Sequence, residues 1–347
     1  MKNIIYLGTN HSNYGTGSYY NDLASAFDEK HNVFFYGYGY EKYSITDNLN
    51  DILVKSQSKF NFPDIIICSN SWGNENPYEK YFDPHPNIDL SKINNIKKVF
   101  FLNKEYKKLK QKLQYIKDNK FDLVTTVLLN EHFYAWEMET NTKFITVPFA
   151  VDLKTFKLLN VRRKFDFLFS GALHENFLTI RTEVKKKIFK KNYLKKLTNQ
   201  YLIFNPLQPN YKKYSFFWAE WGAKDFLRKE ITPTGFKYVK ILNQSKICLN
   251  TLSAYEIFNP RFFELMATKT LIFCPRSCLK YDILKEDYNC IVFKDDLSDF
   301  NEKLNALLSG EINYIGIVEN AFKYLVSNTY ISRVDTIINS LYNQKSN

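Results

Sequence analysis

The segment 245–275 constrains the fold more than any other part of the sequence, because it predicts a strand, a loop, a helix and a second strand in close succession. Two short apolar runs, 245–250 and 270–274, predict the strands. Between them, Asn259 is a suitable N-cap, and Pro260 fits the first helical position, where the backbone N–H has no intrahelical partner to lose. This order of elements is typical of a sheet whose strands are joined by helices.

Two glutamates stand eight positions apart in this segment, Glu256 in the predicted loop and Glu264 one turn into the helix. The proline break predicts that Glu256 folds back toward the helix N-terminus. That terminus offers free N–H groups and a positive dipole end, with Arg261 beside it, so it can hold a phosphate. The pattern therefore predicts an anion site flanked by two carboxylates, which suits a nucleotide sugar. An ordinary α/β helix with an incidental pair of glutamates is the alternative.

The first half of the chain predicts a doubly wound domain. Apolar runs predict strands at 3–8, 32–36, 64–68, 99–102 and 122–126, and predicted helices at 19–29 and 105–117 lie among them. Such alternation indicates a parallel sheet with its site at the carboxyl ends of the strands. The loop with Gly15 and Gly17 lacks the third glycine and the acidic partner of the dinucleotide-binding fingerprint. By itself this loop is equally consistent with a plain tight turn.

A chain of 347 residues suits two domains of ordinary size. We expect residues 1–150 to form the first, 151–165 to be a connection, and 166–326 to form the second. No apolar run approaches 20 residues and the first residues predict a strand, so we expect a cytoplasmic protein without a signal peptide. The five cysteines fit neither a disulfide framework nor an evident zinc site, which predicts buried, reduced thiols.

The glutamate pair and its surroundings resemble the retaining nucleotide-sugar glycosyltransferases of the GT-B fold. The closer resemblance is to their spore-maturation-protein-like branch, whose pattern is roughly Asn-Pro-Arg-x-Phe-Glu. Further segments are similar to that family: Phe-Ala-Val-Asp at 149–152, Asp-Phe-Leu-Phe-Ser-Gly at 166–171, and Thr-Tyr-Ile-Ser-Arg at 329–333, where Asn328 replaces a preceding histidine. The resemblance implies two Rossmann-like doubly wound domains facing a central cleft. The first would lie on the acceptor side and the second would bind the nucleotide sugar, with 327–347 forming a helix that crosses back to the first.

The resemblance also implies a function, the transfer of a sugar from a nucleotide-diphosphate sugar to a glycan, a lipid-linked molecule or another acceptor, with retention of anomeric configuration. Glu256 would contact the sugar ring, Glu264 would hold the ribose, and Arg261 would stabilise the charge that develops on the diphosphate. The remaining donor-binding candidates are Asn259, Phe262, Gly15, Gly17, Gly171 and Lys240. No cofactor beyond the donor and no metal is expected, because enzymes of this kind neutralise the diphosphate with cationic side chains and a helix end.

The net charge of +12 is concentrated in two segments. Residues 92–120 hold ten lysines against two acidic residues, and residues 181–196 hold eight lysines or arginines against one. Such faces attract anionic lipid at roughly 1 kcal/mol per residue near the surface, so a peripheral position at the inner face of the membrane is open beside plain solubility. Nucleic acid is a less suitable partner, because no recognisable nucleic-acid-binding module accompanies the lysines.

Two other functions stay open from the sequence alone. A sugar-nucleotide epimerase of the same fold would turn the donor over without an acceptor. A non-catalytic basic protein that binds nucleic acid or membrane would bind polyanions in a salt-sensitive way and without preference for a nucleotide.

Overall fold

The computed structural model describes residues 1–12, 18–69, 82–85, 87–171, 173, 179–189, 202–204, 213–220, 235–253 and 255–343. The chain divides into two compact units. Unit 1 comprises Met1–Ala150 and Asn328–Asn347, and unit 2 comprises Val151–Ser327. Each unit is built on its own six-stranded sheet with helices, so the predicted fold class, α/β with two doubly wound domains, is confirmed.

Unit 1 is built on a parallel sheet. Its strands are β1 (Asn3–Leu7), β2 (Asn32–Tyr36), β3 (Ile65–Ser69), β4 (Lys97–Phe101), β5 (Leu123–Thr126) and β6 (Lys143–Thr146), in the order β2-β1-β3-β4-β5-β6. Its described helices are α1 (Ser18–Lys30), α2 (Leu49–Ser56), α3 (Leu109–Asp118), α4 (Asn130–Thr140) and α10 (Tyr330–Tyr342). The central strands are apolar runs buried on both faces, as a parallel sheet covered by helices requires.

The last helix, α10, belongs to unit 1 although it lies at the end of the chain. Tyr330, Val334, Ile337 and Leu341 are spaced so that they share one face of this helix, and all four are buried. They join a core cluster with residues of β1, β3, β4 and α1. This apolar stripe explains why the chain returns to the first sheet after unit 2.

Unit 2 holds a largely parallel sheet. Its strands are β7 (Phe165–Gly171), β8 (Leu202–Phe204), β9 (Phe216–Glu220), β10 (Ser245–Leu249), β11 (Leu271–Pro275) and β12 (Ile291–Phe293), in the order β12-β11-β10-β7-β9-β8. The edge strand β8 runs antiparallel to β9. The described helices are α5 (Ile180–Ile188), α6 (Gly235–Asn243), α7 (Arg261–Ala267), α8 (Phe300–Ser309) and α9 (Ile315–Val326), with a 3₁₀ helix over Arg276–Tyr281. Among the helices described in either unit, none is long and apolar enough to cross a membrane.

The predicted succession of strand, loop, helix and strand is observed as β10, a loop, α7 and β11. The Asn259 side chain accepts a hydrogen bond from the backbone N–H of Arg261 (3.2 Å), and the Pro260 carbonyl accepts from the N–H groups of Phe263 and Glu264. The Asn259 side chain therefore bonds to the start of the helix, but the regular helix begins at Arg261, so Pro260 and not Asn259 takes the N-cap position.

The helix predicted over 105–117 begins later than expected, at Leu109. Lys104 and Lys108 adopt the left-handed backbone conformation, with φ angles of 52° and 50°, and this interrupts a helix. Between them Glu105 is buried, and its carboxylate accepts a hydrogen bond from Oγ1 of Thr126 (2.6 Å). A polar contact with the neighbouring strand therefore overrides the local helical periodicity.

The five cysteines are all buried and free. They lie on strands or beside strand ends in the two cores, at positions 68, 248, 274, 278 and 290. The predicted reduced, buried thiols are confirmed, and they act as small apolar side chains in these cores.

Candidate functional site

The carboxyl ends of β7 and β10 meet at one edge of the unit 2 sheet, where open α/β sheets carry their ligand sites. The two strands pair directly, and they end at Gly171 and Leu249. Asn250, the next residue after β10, donates a hydrogen bond to Oδ1 of Asn259 (3.3 Å). This bond brings the start of α7 to the same edge.

Two arginine side chains converge at the end of β7. A Cβ atom placed on Gly171 would lie 3.0 Å from Nη1 of Arg261 and 3.4 Å from Nη1 of Arg181. Both guanidinium groups therefore border the same small space, and a side chain at position 171 would intrude on it. Two cations this close repel each other unless an anion offsets their charge.

Unit 2 itself fixes Arg181 in this position. Arg181 lies in the first turn of α5, where its Nε donates to Oγ1 of Thr251 (2.7 Å) and its Nη2 donates to the carbonyls of Thr251 and Leu252 (both 3.3 Å). Burial and the neighbouring charge of Arg261 lower the pKa of Arg181 to about 10, so it remains a cation at neutral pH. Arg181 is not among the site residues predicted from the sequence. The sequence did contain a signal for Arg181, because a cation in the first turn of a helix opposes the helix dipole and is therefore unfavourable there.

A tyrosine joins Arg261 to Glu264. The Tyr238 hydroxyl, on α6, accepts a hydrogen bond from Nε of Arg261 (3.0 Å) and donates one to Oε2 of Glu264 (2.8 Å). Burial raises the pKa of Glu264, although Arg261 and Tyr238 act in the opposite direction. For Arg261, burial lowers the pKa, but the effects of Tyr238 and Glu264 together are larger and raise it. The structure thus brings Arg261, Glu264 and Gly171 together and adds Arg181 and Tyr238 to them.

Asn259 lies in the same cluster, with its amide engaged by the protein. Its Nδ2 donates to the Thr251 carbonyl (2.7 Å), and its Oδ1 accepts from the Arg261 backbone and from Asn250. Asn259 therefore holds the loop after β10 against the start of α7, which orients Arg261.

Glu256, predicted to fold back toward the start of α7, contacts Lys280 and Tyr281 of the 3₁₀ helix. Its backbone adopts the left-handed conformation (φ 58°), and its Oε2 accepts a hydrogen bond from Nζ of Lys280 (2.6 Å) in the 3₁₀ helix. The Glu256 carbonyl accepts a further bond from the Tyr281 hydroxyl (2.9 Å). The side chain is 65% exposed, so the loop presents it to solvent beside Lys280.

Four further residues were predicted to contact the donor. Phe262 is fully buried and stacks on Phe258 with ring centroids 4.0 Å apart, so it is a core residue and not a donor contact. One residue after Arg261, a helix turns a side chain by about 100°, here into the core. Lys240 is exposed and lies roughly 200° around α6 from Tyr238, away from the cluster. Gly15 and Gly17 lie outside the described residues.

Among the residues that the structure describes, the cluster at the end of β7 carries two guanidinium groups and one carboxylate. Guanidinium groups bind phosphate oxygens through paired N–H donors, so the excess positive charge suits an anion with several charged oxygens. Glu264 offers carboxylate oxygens that can accept bonds from hydroxyl groups. The arrangement can therefore bind a molecule that carries phosphate and neighbouring hydroxyls. In the part of the chain that the structure describes, no group of three or more His, Cys, Asp or Glu residues is arranged to hold a metal ion.

Unit 1 contains a cavity at the carboxyl edge of its own sheet. The ends of β3 to β6 form its floor, and residues of α1 and α10 form its sides. The wall combines aromatic and aliphatic side chains with a few polar ones; among its residues are Tyr19, Tyr20, Asn103, Thr126, Phe149 and Arg333. Such a lining is typical of small-molecule sites.

Two buried charged side chains support the loop between β4 and α3 beside this cavity. Nζ of Lys112 donates to the carbonyls of Asn103 (2.6 Å) and Lys104 (2.9 Å), while Glu105 accepts from Thr126. Burial lowers the pKa of Lys112 to about 8 and raises that of Glu105. These bonds fix the loop that carries Asn103 to the cavity wall.

The lysines of residues 92–120 do not form one continuous surface. Lys98 and Lys112 are buried and donate to backbone carbonyls, and Lys97 pairs with Asp122 (2.7 Å). The exposed lysines of this segment are Lys92, Lys107, Lys108, Lys110, Lys117 and Lys120. The surface charge is therefore smaller than the sequence count implies. In the second basic segment, residues 190–196 lie outside the described residues.

Comparison with known proteins gives a family match over part of the chain and a shared fold. Residues 191–339 match a family described as glycosyl transferase-like. Sucrose-phosphate synthase from Thermosynechococcus elongatus is similar in structure, with a TM-score of 0.58, 12% identity and 99% of each chain covered. HepE of Anabaena in complex with UDP-glucose has a TM-score of 0.55 and 10% identity, over 98% of this chain and 99% of that one. A glycosyltransferase from Rickettsia africae ESF-5 has a TM-score of 0.53 and 11% identity, over 99% of both.

No curated protein matches the sequence. The likeness to the solved structures extends over nearly the whole chain at low identity, so it shows a shared fold. That fold is GT-B, with two Rossmann-like α/β domains, and it agrees with the two doubly wound units described above.

Proposed function

We propose that this protein is a glycosyltransferase that moves a sugar from a nucleotide-diphosphate sugar to an acceptor. The observation that carries the proposal is the convergence of Arg181 and Arg261 on Gly171, with Glu264 tied to Arg261 through Tyr238. The matching family and the similar glycosyltransferase structures support it. Because one similar structure holds UDP-glucose, a uridine diphosphate sugar is the first donor to test.

Arg181 and Arg261 are the residues that we assign to the diphosphate. As the bond between the anomeric carbon and the diphosphate oxygen breaks, negative charge builds up on that oxygen. Two fixed guanidinium groups stabilise this charge without reorganising, which is usually the largest catalytic contribution. A bound divalent cation is then not required for this step.

Transfer with retention follows if the acceptor attacks on the face that the diphosphate leaves. The acceptor oxygen forms the new bond to the anomeric carbon, and its proton passes to the departing diphosphate oxygen. Glu264 would accept hydrogen bonds from the ribose hydroxyls. Glu256 would contact the sugar ring, and Lys280, which is paired with it, would move with it or share the contact.

The acceptor is assigned to the cavity of unit 1. Its aromatic wall suits the faces of sugar rings, and Asn103 and Thr126 offer hydrogen-bonding groups. A glycan or the sugar portion of a lipid-linked molecule fits this chemistry. Asn103→Ala should raise the KM for the acceptor and leave UDP affinity unchanged, because the substituted residue belongs to unit 1.

Calorimetric titration with nucleoside diphosphates tests the donor site. Glu264→Ala removes charge-assisted hydrogen bonds worth roughly 1.5–3 kcal/mol each, so UDP affinity should fall at least about tenfold. Arg261→Gln should weaken the binding of UDP and of pyrophosphate alike.

Glu256→Gln should leave UDP affinity nearly unchanged and lower turnover of the nucleotide sugar.

The same measurements distinguish the alternatives. Turnover of the donor in the absence of any acceptor would indicate an epimerase. Tight, salt-sensitive binding of polyanions without preference for a nucleotide would indicate a nucleic-acid-binding or membrane-binding protein. If the Glu256 and Glu264 variants both bind UDP and turn over like the wild type, the glutamate pair is structural and the site assignment fails.

A further inference from the structure

Nothing in the sequence marks Tyr238 as a site residue, and the proposed reaction assigns it no role. Its hydroxyl lies between the guanidinium of Arg261 (3.0 Å) and the carboxylate of Glu264 (2.8 Å). It comes from α6, whereas both partners lie on α7, so the contact crosses from one helix to another. The tyrosine ring also packs edge-on against Phe156, with centroids 6.2 Å apart.

The direction of these two hydrogen bonds follows from the groups that form them. A guanidinium can only donate and an ionised carboxylate can only accept, so the phenol oxygen accepts a hydrogen bond from Arg261 and its O–H donates one to Glu264. Burial raises the pKa of Tyr238 well above its ordinary value, so the hydroxyl keeps this hydrogen at neutral pH. The three groups therefore form one chain with a single orientation.

The Tyr238 bond also determines which atoms of Arg261 face a ligand. Because Nε is engaged by Tyr238, the plane of the guanidinium is fixed and Nη1 remains at Gly171, beside Nη1 of Arg181. Without the hydroxyl, Nε would lose its acceptor and the carboxylate of Glu264 would lose its donor. Both side chains would then be free to rotate.

We propose that Tyr238 is a positioning residue that couples the phosphate-binding arginine to the ribose-binding glutamate of the donor site. The inference rests on the proposed function, since it takes the roles of Arg261 and Glu264 from it. It adds that the two halves of the nucleotide are recognised together, through the orientation that one hydroxyl imposes on both side chains.

The experiment is calorimetric titration of Tyr238→Phe with UDP, with pyrophosphate and with uridine. Phenylalanine keeps the ring that packs against Phe156 and removes the hydroxyl. Affinity for UDP should fall about tenfold, and affinity for each of the two fragments should fall as well, because each half loses a charge-assisted bond that oriented it. Tyr314→Phe is the matched control: this tyrosine is also half-buried in unit 2 and packs on its core, so its variant should bind UDP like the wild type.

Double-mutant cycles separate positioning from a general loss of structure. If Tyr238 acts through Arg261, adding Tyr238→Phe to Arg261→Lys should cost no further pyrophosphate affinity, because lysine has no Nε donor to lose. Adding it to Glu264→Ala should likewise cost less uridine affinity than it does in the wild type, because alanine offers the Tyr238 hydroxyl no acceptor. A purely structural role would give additive losses in both cycles.

The outcomes that would overturn the Tyr238 coupling differ from those that would overturn the proposed function. Wild-type binding of UDP with equal binding by Tyr238→Phe, or additive cycles, would overturn the coupling and leave the donor site standing. Failure of the wild type to bind any nucleoside diphosphate would overturn the proposed function and this inference with it.

Discussion

At the scale of single residues, Gly171 is required by space and not by backbone conformation. The position that a Cβ would take lies 3.0 Å and 3.4 Å from guanidinium nitrogens of two arginines, so a side chain there would crowd them. The placement of the two guanidinium groups in the candidate donor site therefore depends on the absence of a side chain at position 171.

We expect Gly171→Ala to weaken UDP binding without unfolding the protein. Its Cβ, 3.0 Å from Nη1 of Arg261, forces that group to move by a few tenths of an ångström. Misplacing charge-assisted hydrogen bonds by this amount should lower affinity about three- to tenfold, as calorimetric titration with UDP would measure. Gly316→Ala is the control: nothing lies within 4 Å of a Cβ there, so UDP affinity should not change. Equal affinity in both variants would mean that the arginines do not hold the diphosphate.

Lys112 should make the stability of unit 1 depend on pH. Its side chain is fully buried, and burial lowers its pKa from 10.5 to about 8. Between these values the unfolded chain keeps a proton that the folded chain has released, so the free energy of unfolding rises as the pH rises. Between about pH 7.5 and about pH 9.5 the rise should be roughly 1–2 kcal/mol, since one pKa unit is worth about 1.4 kcal/mol.

Urea unfolding at these two pH values measures that contribution. Lys112→Met should remove this part of the rise, whereas Lys117→Met, at an exposed position of the same helix, should retain it. The same pH dependence in wild type and Lys112→Met would show that this ammonium is not the titrating group.

At the scale of secondary structure elements, α3 combines two uses of lysine. Lys112 faces inward and bonds to the loop after β4, while Lys110 and Lys117 face solvent. Helical geometry separates them, because residues two positions apart point roughly 200° from each other. A count of lysines along the sequence cannot distinguish the two uses.

The exposed lysines at the start of α3 give a prediction about membranes. We expect the protein to sediment with vesicles that contain phosphatidylserine at low salt. It should be released at about 0.5 M salt, because the Debye length there is roughly 4 Å and the charges are screened. Replacing Lys107, Lys108 and Lys110 with glutamine should weaken this binding and leave UDP affinity unchanged, because these residues belong to unit 1.

A triple variant of the second basic segment shows which of the two segments accounts for vesicle binding. Lys185, Lys186 and Lys187 lie on α5 of unit 2, and replacing them with glutamine removes the same charge from a different surface. A wild-type protein that binds neither vesicles nor nucleic acid at low salt would leave solubility as the explanation of both segments.

At the scale of the whole molecule, the chain has two sheets with separate cores, and each offers a distinct kind of site at its carboxyl edge. Unit 2 presents fixed cations, whereas the cavity of unit 1 is lined mostly by apolar side chains, several of them aromatic. This difference matches the needs of a charged donor and a largely uncharged acceptor.

The charge of unit 2 predicts how the reaction depends on metal ions. If Arg181 and Arg261 hold the diphosphate as proposed, they stabilise the charge on the leaving group, so transfer should persist in excess chelator. The measurement is release of UDP from the donor in the presence of acceptor, with and without chelator. Arg181→Gln offers a further check, since it should lower the rate under both conditions. An absolute requirement for magnesium or manganese would contradict this site.

Much of the architecture follows from the sequence alone, because local hydrophobic periodicity predicts the strands and helices of a parallel α/β fold. The apolar runs located β10 and β11 within a residue of their observed bounds, and Asn259 marked the start of α7. Arg261 and Glu264 could be singled out because they stand on one short helix within a recognisable pattern.

The tertiary structure alone decided which other side chains reach the site. Arg181 and Tyr238 come from helices 80 and 23 residues before Arg261, and no local pattern links them to it. Periodicity reports which face of a helix is apolar, but not which neighbouring element that face or its edge will meet. For the same reason Phe262 and Lys112 proved to be buried and Glu256 turned to Lys280, since burial and pairing are set by packing between distant segments.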